Sequence, residues 1–164
     1  MWTALNFGKH KGKTLPQVLF SDPDWFFWAH DNHVFSERWN FESEANDLIK
    51  KARNIRIPEK YGEAVVVEYV VTPIKIVNFE SFQPGKFSHF DIIPQSRPTH
   101  TGSSITSRKD VIDMSFPSKY AKYDKLGYKN MIKSLKHYVF GNADCKMTRQ
   151  KCEIFFSDAG NFVL

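Results

Sequence analysis

Five lysines late in the chain are spaced so that they could act together. Lys122, Lys125, Lys129, Lys133 and Lys136 follow one another at intervals of 3, 4, 4 and 3 residues. At about 100° per residue they fall within roughly 80° on a helical wheel, in a row about 21 Å long at about 1.5 Å per residue. Tyr128, Met131, Ile132, Leu135, Tyr138 and Val139 take the opposite side. Like charges at i,i+4 weaken a helix, and no Glu alternates with them on that face. The row is either a solvated face or a phosphate track in which each Lys neutralises one phosphate and binding weakens as salt rises.

A second basic group stands near the start, in Phe7-Gly8-Lys9-His10-Lys11-Gly12-Lys13-Thr14-Leu15. Glycines at both ends of the turn permit positive φ. The spacing is wrong for a nucleotide-hydrolysing phosphate loop: three residues separate the glycines, and Pro16 interrupts the apolar run such a loop requires. What remains is a turn whose Lys9, His10, Lys11 and Lys13, with backbone N–H groups, could clamp a phosphate of a nucleic-acid backbone. Trp39 is the candidate stacking platform beside it, since single strands are held by charge plus stacking.

Signals for other chemistry are weaker. The six histidines form no HExxH pattern, and Cys145 and Cys152 are not at zinc spacing, so no metal and no cofactor is expected. Asp31-Asn32 ends a helix, which makes His30 and His33 helix-end residues rather than a chelating pair. His89 and Asp91 share one face of a strand and read as a surface hydrogen-bonded pair. Glu63, Glu68, Glu80 and Asp91 lie near strands, where metal-dependent nucleases place carboxylates, but no Asp is followed by a Glu-x-Lys strand. Catalytic residues are therefore not assigned.

These groups must be positioned by an α+β fold. Pro23 after Ser21-Asp22 marks a helix start, with Trp25, Trp28 and Ala29 on one face. Phe41, Ala45, Leu48, Ile49 and Ala52 recur at helical intervals over about 42–53. Trp2 to Thr14 reads as a hairpin, and Phe7, Phe20, Trp25 and Trp28 as what packs it on the helices. Ile57-Pro58 to Tyr61-Gly62 breaks the pattern, which gives a hairpin-plus-helices module over 1–60 and a second domain over 61–164. The second part opens with β-branched residues at 64–71, continues through 75–79, 87–93 and 111–114, and so forms a small, mostly antiparallel sheet. The basic helix over 123–140 packs on that sheet. Residues 94–108, rich in Ser and Thr, read as a long exposed loop, and the tail from 148 as a further helix.

Composition sets the bounds. The chain has 164 residues and a formal net charge of +5, concentrated over 119–151, where nine Lys/Arg face only Asp124 and Asp144. That excess points to a polyanionic partner. No apolar run approaches the roughly 20 residues that span a bilayer, and the start has no basic-then-apolar leader pattern. Two cysteines make no disulfide framework and suit a reducing compartment. A cytoplasmic protein without membrane contact is expected.

Residues 5–31 also resemble the small domain at the C-terminus of exodeoxyribonuclease X-like proteins, a pattern shared with the quorum-sensing-regulated virulence factor family. Phe7, Gly8, Lys9, Gly12, Leu15, Pro16, Trp25 and Trp28 carry the likeness, which covers about 50 residues. It implies an accessory, nucleic-acid-associated module of bacteria or phages, and no active site. Residues and resemblance together lead to a non-catalytic nucleic-acid-binding protein. Its expected partner is DNA foremost, single strands included, with a nuclease or another protein as a further partner. Two alternatives stand beside it: a protein-interaction factor that uses the apolar N-terminal surface, and an unrecognised metal-dependent nuclease or hydrolase under the 94–108 loop.

Overall fold

The computed structural model describes residues 2–36, 38–83, 85–99 and 104–164, with only the backbone at Trp39 and Gln83. The expected Trp2–Thr14 hairpin shrinks to one antiparallel bridge, Ala4 to Thr14. It is held by Leu5 N–H donating to Lys13 O and Gly12 N–H to Leu5 O, both at 2.8 Å. Gly8 and Gly12 adopt φ of +71° and +90°, the left-handed conformation that only glycine takes without strain.

Three helices follow: α1 (Leu15–Ser21), α2 (Pro23–Asp31) and α3 (Trp39–Ala52). In α3 all five residues of the expected apolar stripe are buried. In α2 the buried face is Pro23, Phe26, Phe27 and Ala29. Trp28, expected in the packing of this face, is 41 % exposed, because the buried side of the helix is taken by Phe26 and Phe27, which meet Phe35 and Tyr128.

The sheet has the order β5–β2–β6, all antiparallel, from β2 (Val65–Val71), β5 (Phe87–Pro94) and β6 (Ile105–Lys109). Central in the sheet, β2 buries Val66 and Glu68 on one face and Val67, Tyr69 and Val71 on the other, and with both faces covered it shows no clean alternation. The exposed loop expected over 94–108 is thus too long. Its last residues pair with β2, from Ile105 opposite Val71 onward, and residues 100–103 lie outside the described part. Two smaller pairs complete the strands: β1 (Ile55–Arg56) with β7 (Val111–Ile112), and β3 (Lys75–Asn78) with β4 (Ser81–Gln83).

The basic helix is α4 (Lys125–Tyr138), and the tail forms α5 (Arg149–Ser157). The chain takes φ +57° at Tyr123, so α4 starts two residues later than expected, at Lys125. It buries Tyr128, Met131, Ile132 and Leu135 and packs on β5 and α2.

One continuous core joins the residues on either side of position 60. Phe20 of α1 meets Phe140, Phe155 and Phe156 edge-on or tilted, and Phe27 of α2 stacks on Tyr128 of α4 at 5.3 Å. Ile55 pairs with both Ile112 and Phe162. The break at 57–62 therefore interrupts the helical pattern without interrupting the core. Among the described residues no helix is long and apolar enough to cross a membrane.

Candidate nucleic-acid interface

The two basic groups meet at Asp22. Its carboxylate lies 2.9 Å from Lys9 Nζ and 2.9 Å from His10 Nε2. It also lines a groove of about 630 Å³ whose opposite wall carries Lys125, Lys129, Lys133 and Lys136. The α1–α2 corner thus links the N-terminal turn to the groove through Asp22.

The groove holds acids that the spacing on α4 could not reveal. Asp22 and Asp24, from the start of α2, and Asp144, from the loop after α4, line it with the four lysines. The expectation of a row with no acid to offset it holds along the helix and fails across the groove. Asp22 precedes Pro23 at the N-terminus of α2, yet its side chain makes no capping bond, because Lys9 and His10 occupy it. Burial draws the Asp22 carboxyl upward, but hydrogen bonds from Lys9 and His10 outweigh burial and hold it below its ordinary value. Asp24 moves the other way, raised first by burial and then by the neighbouring Asp22. As pH falls, Asp24 takes up its proton first, and the groove loses one negative charge.

The expected phosphate contacts separate into three kinds. Lys125, Lys129 and Lys133 are exposed along α4, and Lys136 is half-buried at its end. Lys9 is 58 % exposed along its side chain while bridged to Asp22, and Lys11 is exposed. His10 is a correction: it is 8 % exposed, with its ring 4.8 Å from that of Trp25, so it anchors the turn to α2 instead of facing a ligand. The backbone of the turn is partly committed as well. The N–H groups of Lys11, Gly12 and Lys13 donate to Gly8, Leu5 and His10. Lys13 is half-buried. Lys122 is exposed but sits before the left-handed residue Tyr123, off the helix and out of the row. The side chain of Trp39 lies outside the described residues.

No family model, curated protein or solved structure matches this chain.

Next to the groove lies a second cavity of about 430 Å³, which shares Asn130, Lys133 and Ala143 with it. The expected pair is there, with His89 Nε2 3.2 Å from Asp91 Oδ2. Two partners were not legible from spacing. Tyr138 Oη donates to Asp91 Oδ1 at 2.7 Å, and Ser88 Oγ lies 2.9 Å from His89 Nδ1. In a regular strand Ser88 and His89 would point to opposite faces. Here the register slips between Val70, opposite His89, and Val71, opposite Phe87, leaving Ser88 as the extra residue of a bulge. Burial, and then the Asp91 carboxylate, push the Tyr138 hydroxyl up to about 12, so it remains a donor. A hydroxyl, an imidazole and a carboxylate in hydrogen-bond sequence are able to relay a proton.

Glu68 and Arg108, opposite each other on β2 and β6, form an ion pair at 3.0 Å with Glu68 8 % exposed. That ties the sheet and leaves Glu68 committed. Cys145 and Cys152 are free thiols. Burial pushes the Cys152 thiol up to about 12, which suits a packed, unreactive side chain. Among the described residues no three His, Cys, Asp or Glu side chains are grouped to hold a metal ion.

Proposed function

We propose that this protein binds nucleic acid without acting on it, with the phosphate backbone running along α4 and past the N-terminal turn. The observation that carries this reading is that Asp22, which pairs with Lys9 and His10 of the turn, also lines the groove of the lysine row. Lys125, Lys129 and Lys133 supply exposed ammonium groups at one-turn intervals, and Lys9 and Lys11 extend the positive surface beyond the groove. Exposed lysines bind phosphates as point charges, which gives affinity without sequence preference. Asp22, Asp24 and Asp144 repel a strand that enters the groove and favour one that tracks the lysine rim. The likeness of residues 5–31 to the exodeoxyribonuclease X-like C-terminal domain supports an accessory role beside a nuclease or a similar enzyme. The free thiols are consistent with the cytoplasm.

The test is binding of single- and double-stranded DNA and of RNA, measured by fluorescence anisotropy across a salt series. Wild-type protein is expected to give a linear fall of log K with log salt, at roughly 0.7–0.9 per phosphate neutralised. Lys129→Ala and Lys133→Ala should each weaken binding on every sequence and lower the slope by about 1. No binding at low salt, or binding that both variants leave unchanged, would sink the proposal. Recovery of intact nucleic acid from the mixtures separates binding from hydrolysis at the Ser88–His89–Asp91 cluster.

A further inference from the structure

The hydrogen bonds around Asp91 divide into one that ties elements together and two that do not. Tyr138 Oη, 2.7 Å from Asp91 Oδ1, holds α4 on β5. The other two, His89 Nε2 to Asp91 Oδ2 at 3.2 Å and Ser88 Oγ to His89 Nδ1 at 2.9 Å, stay within β5 and join no second element. The strand gives up a regular ladder position at Ser88, and with that bulge Ser88, His89 and Asp91 all line one cavity.

The sequence of bonds sets the proton positions. A carboxylate only accepts, so His89 carries its proton on Nε2, facing Asp91. Nδ1 is then the lone-pair nitrogen, and Ser88 Oγ donates to it. Asp91 is fixed from its other oxygen by the Tyr138 hydroxyl. A nucleophile, a base and an orienting carboxylate are the parts of acyl transfer, here with the two imidazole nitrogens exchanged relative to the commonest arrangement. The side chains of His89 and Asp91 are 45 and 39 % exposed, so a substrate reaches them.

The cavity indicates what that substrate is. About 430 Å³ suits a small molecule. Phe90 and Tyr138, whose rings stack at 5.5 Å, and Ala143 give an apolar wall for an acyl group. Asn130 and Lys133 bring N–H donors to the same space, as the oxyanion of a tetrahedral intermediate requires.

We propose that Ser88, His89 and Asp91 form a second site, which hydrolyses small carboxylic esters. Ser88 Oγ bonds to the acyl carbon and passes its proton to His89 Nδ1. The bond from that carbon to the alcohol oxygen breaks, and the alcohol leaves with the proton. Water then adds to the acyl-serine and gives a proton to His89, which returns it to Ser88 Oγ as the carboxylic acid departs. Ser88 and His89 are the catalytic residues, while Asp91 and Tyr138 are positioning residues. The site is independent of the nucleic-acid reading, whose test measures phosphate contacts.

Turnover of p-nitrophenyl acetate by the full chain, with a fluorophosphonate probe mapped by mass spectrometry, tests the proposal. The wild type is expected to hydrolyse the ester and to take up the phosphonyl group on Ser88. Ser88→Ala and His89→Gln should each lower kcat/KM at least about a hundredfold. Both residues are half-buried at the surface, so circular dichroism should be unchanged. Asp91→Asn should lower kcat at least about tenfold with KM unchanged, as expected of a group that acts through His89. Hydrolysis that survives Ser88→Ala would assign the turnover to surface amines or imidazoles and overturn the proposal. A wild type that neither turns over the ester nor is labelled at Ser88 would overturn it as well, as would an Asp91→Asn variant with the wild-type kcat.

Discussion

Asp22 does two jobs whose interests conflict. It holds the N-terminal turn on α2 by pairing with Lys9 and with the buried His10, and it places a negative charge at the edge of the lysine groove. Asp22→Asn should therefore destabilise the protein and strengthen nucleic-acid binding. The stability loss should be about 1–2 kcal/mol at pH 7, because the His10 contact is largely buried while the Lys9 contact is half in water. The pH dependence has a definite sign. The folded Asp22 carboxyl lies below its ordinary value, so its contribution is present above the unfolded pKa near 3.8 and is lost as pH falls through the folded one. Urea midpoints of wild type and variant should converge in that acid range. Anisotropy at pH 7 should show the variant binding a few-fold more tightly, as one repulsive charge is gone and Lys9 is released. A variant that binds more weakly would mean that the turn must be held by Asp22 in order to bind. None of this pairing could be read from the sequence, where Asp22 looks like a helix cap: the two basic residues that claim it lie 13 and 12 positions away.

At the scale of elements, the parts that were legible are those whose signal is local. The α3 stripe and the opposed faces of α4 follow from the 3.6-residue period alone, and β2 from its run of β-branched residues. Elements defined by a distant partner were not legible. β6 is Ile105-Thr-Ser-Arg-Lys, an edge strand whose composition resembles a loop, and it exists because β2 offers its free edge. β1 is two residues long and is held by Ile112 and Phe162. One joint between the main sheet and the β1–β7 pair is a hydroxyl. Tyr69 Oη on β2 donates to Val111 O at 2.8 Å and accepts from Asp113 N–H at 2.7 Å, linking the main sheet to the β1–β7 pair. The ring stacks on Phe116 at 4.0 Å, and burial pushes the hydroxyl pKa far up. Tyr69→Phe keeps the stacking and leaves a buried N–H and C=O without their partner. It should cost about 1–3 kcal/mol in chemical denaturation, with the fold unchanged by circular dichroism. A loss below about 0.5 kcal/mol would show that water replaces the hydroxyl.

Over the whole molecule, the division expected near residue 60 follows a change of composition, whereas the core follows chain reversal. Residues 1–60 contain most of an apolar helical layer, and its partners come from the far end of the chain. α1 packs on α5, Phe27 stacks on Tyr128, and Trp2 Nε1 donates to Ser157 Oγ at 3.0 Å. Cut at residue 62, the first part would expose Phe20, Phe27 and Ile55, and β1 would lose both of its pairings. A chain of about 60 residues buries only about 60 % of its unfolded surface even when its core is complete. The fragment 1–62 should therefore lack a cooperative thermal transition and give collapsed amide dispersion in a nitrogen–proton correlation spectrum, while the full chain shows both features of a folded domain. A dispersed spectrum from the fragment would restore the module boundary. It would also mean that the basic turn can position Asp22 without α4, and the groove would then be an interface between two independently folded parts instead of a feature of one core.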